Sequence, residues 1–316
     1  MADRVLVTGS LGQIGTELVL ALRKHYGTQN VIASDLHDCC PEVLGDGPYE
    51  RIDVMDTAKL AETVKKYSVN KIVNLAALLS AVAEDKPALA YQVNLGGLFN
   101  ILELARETGC SVFTPSSIAA FGPSTPADQT PQTTIQRPNT MYGVTKVAGE
   151  ILADYYHYKF NVDTRGVRFP GLISYAALPG GGTTDYAVHI YYEALKQKAY
   201  TSYIAAGTYM DMMYMPDALD AIINLMEADP SRLNHRNAYN VTAMSFEPEM
   251  LAAEIRKHIP DFKLDYDVDP VRQAIADSWP NSLDDQAARD DWDWNPKYDL
   301  SAMTTDMLAK LKEKGI

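Results

Sequence analysis

RVLVTGSLGQIG, residues 4–15, is the stretch that decides the fold. Its apolar start, Arg4 to Thr8, reads as a strand. The strand runs into a turn carrying Gly9, Gly12 and Gly15, and a helical pattern follows from Gln13 to His25. Glycine at every third position lets the chain turn tightly and lets another group approach the backbone closely. The helix then aims unpaired N–H groups at the turn, which suits a pyrophosphate. A second strand, Asn30 to Ser34, ends at Asp35, 20 residues after Gly15. A carboxylate there accepts both ribose hydroxyls of an adenosine and repels a 2′-phosphate. No Arg or Lys lies between Val31 and Arg51 to offset that repulsion, so the reading is NAD rather than NADP. Asp53 follows a third candidate strand. It suits either the adenine amino group or a solvated loop.

Outward from this stretch, apolar runs alternate with helical patterns. Lys71–Leu75, Ser111–Pro115 and Asp163–Phe169 read as strands, and Ala88–Thr108 and Met141–Phe160 as long helices. The strands are continuously apolar, as expected when helices cover both faces of a sheet. The predicted fold is α/β, a Rossmann-type doubly wound parallel sheet with a smaller C-terminal substrate-binding portion. Residues 1–170 form the NAD-binding part, with 210–237 returning to it. Residues 171–209 and 238–316 form the substrate portion, too short to stand alone. Within it, Thr183–Ala199 and Glu247–His258 read as helices, and Pro260 to Pro296, rich in Asp, Pro and Trp, as irregular.

Composition narrows the function classes. The chain has 316 residues, 47% of them hydrophobic, and a formal net charge of -13. That suffices for a large core, and the negative field disfavours nucleic acid and anionic membranes as partners. Cys39, Cys40 and Cys110 form no disulfide or zinc pattern, and Cys110 reads as a small core residue. The six histidines show no metal motif. A strand begins almost at Met1 and no apolar run reaches membrane length, so a cytoplasmic location is expected.

Met141-Tyr142-Gly143-Val144-Thr145-Lys146 opens a long helix. Tyr142 and Lys146 are four apart and share one face. A phenol is a poor base near neutrality, and a neighbouring ammonium favours its phenolate. Tyr142 thereby becomes a candidate general base for an alcohol proton. YxxxK alone is common on helix surfaces, and context gives it weight.

That context is TGxxGxxG at the N-terminus, Asp35, Leu75-Ala76-Ala77 after a buried strand, Asn94, Ser116-Ser117 and YxxxK. Together they resemble the extended short-chain dehydrogenase/reductases. The order and spacing match over nearly the whole chain. The resemblance implies Tyr142 as acid/base, Ser117 as the hydroxyl steadying the substrate oxygen, Lys146 on the nicotinamide ribose, and Asn94 beside a proton-relay water or as a packing residue. It implies cofactor contacts at Gln13, Ile14, Leu36, Val54, Leu75, Ala76, Ala77 and Pro170.

Further stretches, among them Arg137–Lys146, Gly182-Thr183-Thr184-Asp185-Tyr186 and Ser278-Trp279-Pro280, are similar to the threonine-oxidising branch of that family. The implied reaction oxidises the 3-hydroxyl of L-threonine to 2-amino-3-ketobutyrate. Ser80, Gly182, Thr183, Thr184, Asp185 and Trp279 are then candidates for the two charged ends of the substrate. Thr183, Thr184 and Asp185 equally suit a helix cap, and Trp279 either closes as a lid or packs. The family also implies a homodimer built from its two long helices. Tyr155, Tyr156 and Tyr158 on one of them suit core or interface.

Two rivals are a nucleotide-sugar epimerase or dehydratase of the same superfamily and a non-catalytic NAD-binding regulator. Ten aspartates from Asp261 to Asp293 weigh against a diphosphate ligand. The intact Tyr and Lys weigh against a regulator.

Overall fold

In the computed structural model, strand β1 (Val5–Thr8) lies inside a parallel sheet with both faces buried. On one side it pairs with β2 (Val31–Asp35), which pairs with β3 (Tyr49–Arg51). On the other side follow β4 (Lys71–Asn74), β5 (Ser111–Phe113) and β6 (Thr164–Arg165). The order is therefore β3-β2-β1-β4-β5-β6, with every pairing parallel. The order reverses direction at β1, and ligands of such sheets bind at the strand ends beside that switch. Helices α1 (Gln13–Tyr26), α2 (Thr57–Tyr67), α3 (Gly97–Thr108) and α4 (Met141–Phe160) connect the strands. Leu6, Ile32, Leu60, Ile72, Ile101 and Val112 pack as one buried cluster. Cys110 is buried, and its thiol donates to the Val69 carbonyl at 3.2 Å.

The description covers residues 3–38, 41–176 and 180–316, without the side chains of residues 41 and 42. Met1, Cys39, Cys40 and Pro179 lie outside it. Among the described residues no helix is long and apolar enough to cross a membrane.

Two expected elements are broken, and each break lies beside a glycine that is tightly packed. The expected helix from Ala88 contains a π-helical segment, Tyr91–Gly96, before α3 begins. Gly97 packs so close to Val54 that a Cβ would lie 2.7 Å from its Cγ2. The expected strand Asp163–Phe169 breaks at Gly166 into β6 and a strand Val167–Phe169. A Cβ on Gly166 would sit 2.7 Å from both the Thr114 and the Asn237 carbonyl oxygens. No side chain fits there.

The chain divides into two compact units. The first comprises Met1–Ala120, Thr140–Arg168 and Leu219–Tyr239; the second comprises Phe121–Asn139, Phe169–Ala218 and Asn240–Ile316. Residues 121–139 thus lie in the second unit, and the returning segment starts at Leu219.

The second unit has a core of its own. Two of its segments pool apolar side chains: Tyr186, Tyr191, Met212, Phe246, Leu251 and Met307 are buried together. It contains a sheet of β7 (Gly171–Ile173), β9 (Met210–Tyr214) and β10 (Met244–Phe246), and a separate parallel pair, β8 (Ala199–Ser202) with β11 (Lys263–Tyr266). Residues 260–296, expected to be irregular, include β11 and the helices Pro270–Ala276 and Gln286–Trp292. The acidic composition masks caps. The Asp269 carboxylate accepts the amides of Val271 and Arg272, ahead of a helix that opens with Pro270. Acid-rich sequence here supplies helix starts, while Leu283, Ala288, Trp292 and Trp294 supply burial.

Candidate functional site

The glycine turn is built as its sequence requires. Gly9 has φ +68°, and a Cβ on it would lie 2.7 Å from the Ala76 nitrogen. A Cβ on Gly15 would lie 2.4 Å from the Gly9 oxygen and 2.7 Å from the Ser10 Cα. Gly12 caps α1 without any side-chain hydrogen bond, so no side chain of the cap occupies the helix N-terminus. The Ser10 hydroxyl and the Gln13 side-chain nitrogen are buried without a hydrogen-bond partner. Orphaned polar atoms at a bare helix start fit an anionic ligand with its own acceptors and donors. The Thr8 hydroxyl donates to Asn74 Oδ1 at 2.7 Å, tying β1 to β4 beneath the turn.

Asp35 ends β2. Its carboxylate accepts the Leu11 amide at 3.0 Å and the His37 amide at 3.4 Å. Leu36 is half exposed beside it. One point differs from the sequence reading. The β2–β3 register sets Arg51 opposite Asp35, and Arg51 Nε donates to the Leu36 carbonyl at 2.9 Å. A cation remote in sequence is thereby local in space, although the Asp35 carboxylate keeps its place. Asp53 accepts the Met55 amide at 2.9 Å and forms a turn, while Val54 is buried against Gly97. Leu75, Ala76 and Ala77 continue β4 past its last paired residue and are partly exposed.

Helix α4 starts at a true cap: Thr140 Oγ1 accepts the Gly143 amide at 3.1 Å. This places Tyr142 in the first turn and Lys146 one turn on. Lys146 Nζ lies 5.2 Å from the centre of the Tyr142 ring and donates to the Pro115 carbonyl at 2.7 Å. Two residues past that carbonyl stands Ser117, whose hydroxyl oxygen accepts the Ala119 amide at 3.2 Å. Asn94 sits in the π-helical segment. Its side chain accepts the Leu78 amide at 2.7 Å, donates to the Leu78 carbonyl at 3.0 Å and donates to Thr145 Oγ1 at 3.2 Å. Thr145 in turn donates to the Tyr142 carbonyl at 2.8 Å. Asn94 therefore ties the loop after β4 to the start of α4. A small cavity of about 30 Å³ lies here, lined by Asn74, Asn94, Thr114, Lys146 and Glu150 among others.

Two residues that the sequence reading passed over, Glu150 and Arg168, belong to this region. With Ser116 they are nearly fully buried, and Glu150 bonds to both others. The available signal was spacing: Tyr142, Lys146 and Glu150 stand at i, i+4 and i+8.

Ser80, in the first unit, is buried at the start of a short helix. The remaining candidates lie in the second unit. Thr183–Asp185 forms a 3₁₀ turn leading into α5 (Tyr186–Gln197). Asp185 Oδ2 accepts the amides of Gly181 at 2.8 Å and Gly182 at 2.5 Å. Burial raises the Asp185 carboxyl above its ordinary range, against the pull of those two amides. Thr183 is buried, and the Thr184 methyl packs on Gly171. Pro170 links the strands on either side of it. Trp279 is half-buried on a segment whose backbone is pinned, since the Trp279 amide donates to Ala276 and the Asn281 amide to Ala127 at 2.7 Å.

The NAD dependent epimerase/dehydratase family matches residues 5–242 of the chain. A protein of Staphylococcus haemolyticus named as an uncharacterized epimerase/dehydratase is 58% identical, over 99% of this chain and 98% of its own. The crystal structure of an L-threonine dehydrogenase from Clostridium difficile is 62% identical and covers 100% of this chain and 99% of its own, with a TM-score of 0.98. A monomeric L-threonine 3-dehydrogenase from a metagenome is 44% identical and covers 99% of this chain and 100% of its own, with a TM-score of 0.94.

Proposed function

The chain belongs to the NAD dependent epimerase/dehydratase family, and from that premise we propose that it oxidises the 3-hydroxyl of L-threonine to 2-amino-3-ketobutyrate. The observation that carries the reading is the seat of Lys146, beside the Tyr142 ring and bonded to the Pro115 carbonyl. The similarity to L-threonine dehydrogenase structures narrows the substrate.

The glycine turn would hold the pyrophosphate of NAD, Asp35 the adenosine ribose and Lys146 the nicotinamide ribose. When bound, NAD⁺ supplies the acceptor for the hydride of threonine C3. The Lys146 ammonium stabilises the Tyr142 phenolate, which takes the hydroxyl proton and becomes a neutral phenol. Ser117 donates a hydrogen bond to the same substrate oxygen. Asn94 keeps the helix start and the loop after β4 in register for this transfer. We assign Ser80, Gly182, Thr183, Thr184, Asp185 and Trp279 to the charged ends of the substrate, which need paired partners.

We also propose a homodimer. Val144, Ile151, Tyr155 and Tyr158 are spaced seven, four and three apart and form one exposed apolar face of α4, Tyr158 being 73% exposed. Tyr156, between the two tyrosines, is buried.

The test is reduced-nicotinamide absorbance with L-threonine and other 3-hydroxy amino acids, each with NAD and NADP. NADH formation with threonine is the expected result. Tyr142→Phe should lower kcat by about 10² to 10⁴ and leave NADH affinity in place. Turnover of a UDP-sugar with no threonine oxidation would replace this reading by the epimerase one.

A further inference from the structure

Consecutive turns of α4 grip consecutive residues of the segment that leads to Ser117. Lys146 holds the Pro115 carbonyl at 2.7 Å. One turn later, Glu150 accepts the hydroxyl of Ser116. Glu150 is itself held from behind. Arg168 Nε donates to Glu150 Oε1 at 3.0 Å and its terminal nitrogen donates to Oε2 at 2.8 Å. Arg168 belongs to the strand that pairs with Ser116–Ser117. Glu150, Arg168 and Ser116 are 3%, 2% and 6% exposed.

A buried ion pair is an expensive way to stabilise a core, since apolar residues of the same volume do as well. Here the pair has a geometric consequence. Strand pairing spans only two residues here. The bond from Ser116 to Glu150 adds a side-chain anchor that ties this short strand to α4. Ser117 is the next residue of that strand, so fixing Ser116 fixes the backbone that carries the Ser117 hydroxyl.

We infer that Glu150, braced by Arg168, is a positioning residue: through Ser116 it sets the orientation of the Ser117 hydroxyl. The consequence for catalysis rests on the proposed role of Ser117, whereas the clamp itself does not. A misplacement of about 1 Å in a reacting group can lower a rate about a hundredfold, so loss of the clamp belongs in kcat.

Ser116→Ala removes the clamp and leaves the Glu150–Arg168 pair intact. In the full chain, hydrogen exchange of the amides from Ser117 to Ala119 should accelerate at least tenfold, with α4 unchanged. With L-threonine and NAD, kcat should fall about ten- to a hundredfold while NADH affinity holds. Ser116→Thr, which keeps the hydroxyl, should recover both.

Glu150→Gln is the complementary variant. Its amide oxygen still accepts from Ser116, but Arg168 loses its counter-charge. It should melt at lower temperature and, measured below its melting range, keep more of kcat than Ser116→Ala. Unchanged exchange and unchanged kcat in Ser116→Ala would overturn the inference. So would a kcat loss that only tracks melting temperature across the variants. Faster exchange in a chain whose parent does not oxidise threonine would sustain the clamp and remove the substrate assignment.

Discussion

Gly15→Ala tests the dinucleotide turn at its tightest point. Gly15 lies in the first turn of α1, where alanine is intrinsically favoured over glycine by about 0.5–1 kcal/mol. Against that, the new methyl would lie 2.4 Å from the Gly9 oxygen, 2.7 Å from the Ser10 Cα and 2.8 Å from the Ser10 carbonyl carbon. All three are backbone atoms and cannot rotate away. Overpacking costs about 1–3 kcal/mol, and an unyielding wall puts this site near the top of that range. The net destabilisation is then about 2 kcal/mol, a fall in Tm of roughly 4–8 °C for a unit of this size. Relief requires the Gly9–Ser10 backbone to move, and the same backbone is assigned to the pyrophosphate. NADH affinity should therefore drop about tenfold, or about 1.4 kcal/mol. Calorimetry of the free chain and a fluorescence titration with NADH read the two effects. Gly109→Ala is the control. That residue has φ +77° but nothing within 4 Å of its Cβ, so the variant carries a backbone penalty of about 1–2 kcal/mol with NADH affinity intact. If Gly15→Ala melts with the parent and binds NADH equally well, the turn is looser than described and its assignment to the pyrophosphate fails.

Two further outcomes follow from burial. Desolvation pushes the Asp211 carboxyl up to about 8, against the bonds it accepts from Thr242 at 2.5 Å and the Leu283 amide at 2.8 Å. An unfolded Asp titrates near ~3.9. Between these values the folded chain holds a proton that the unfolded chain releases, so stability should fall as pH rises from about 4 to 8. Urea midpoints at several pH values should show this decline, flattened in Asp211→Asn; an identical decline in both proteins would rule Asp211 out as its source. For the α4 face, sedimentation equilibrium should give a dimer for the parent and a monomer for Ile151→Asp, since a buried unpaired carboxylate opposes association. A monomeric parent would refute the dimer.

The parallel sheet, the glycine turn, Asp35 and the Tyr142–Lys146 spacing were readable directly from the sequence. Each rests on short-range physics: a period, a φ requirement, or the 3.6-residue turn that stacks i on i+4. Other features depend on where distant segments meet. Gly166, between two strands, admits no side chain because the Thr114 and Asn237 carbonyls crowd it. Arg51 reaches the Asp35 turn through the β2–β3 register. Tyr155 and Tyr156 are neighbours in sequence, yet one is half exposed and the other buried. Residues 260–296 looked irregular because their polar composition conceals caps, and Phe262 and Ala276 are buried with residues remote in sequence such as Tyr186 and Met212. Glu150 was the least legible residue. On its own it is a charged position on a helix, and only the approach of Ser116 and Arg168 makes it a buried brace. Local conformational preferences are written in neighbouring residues, whereas desolvation and hydrogen-bond pairing depend on whichever remote groups the fold brings near.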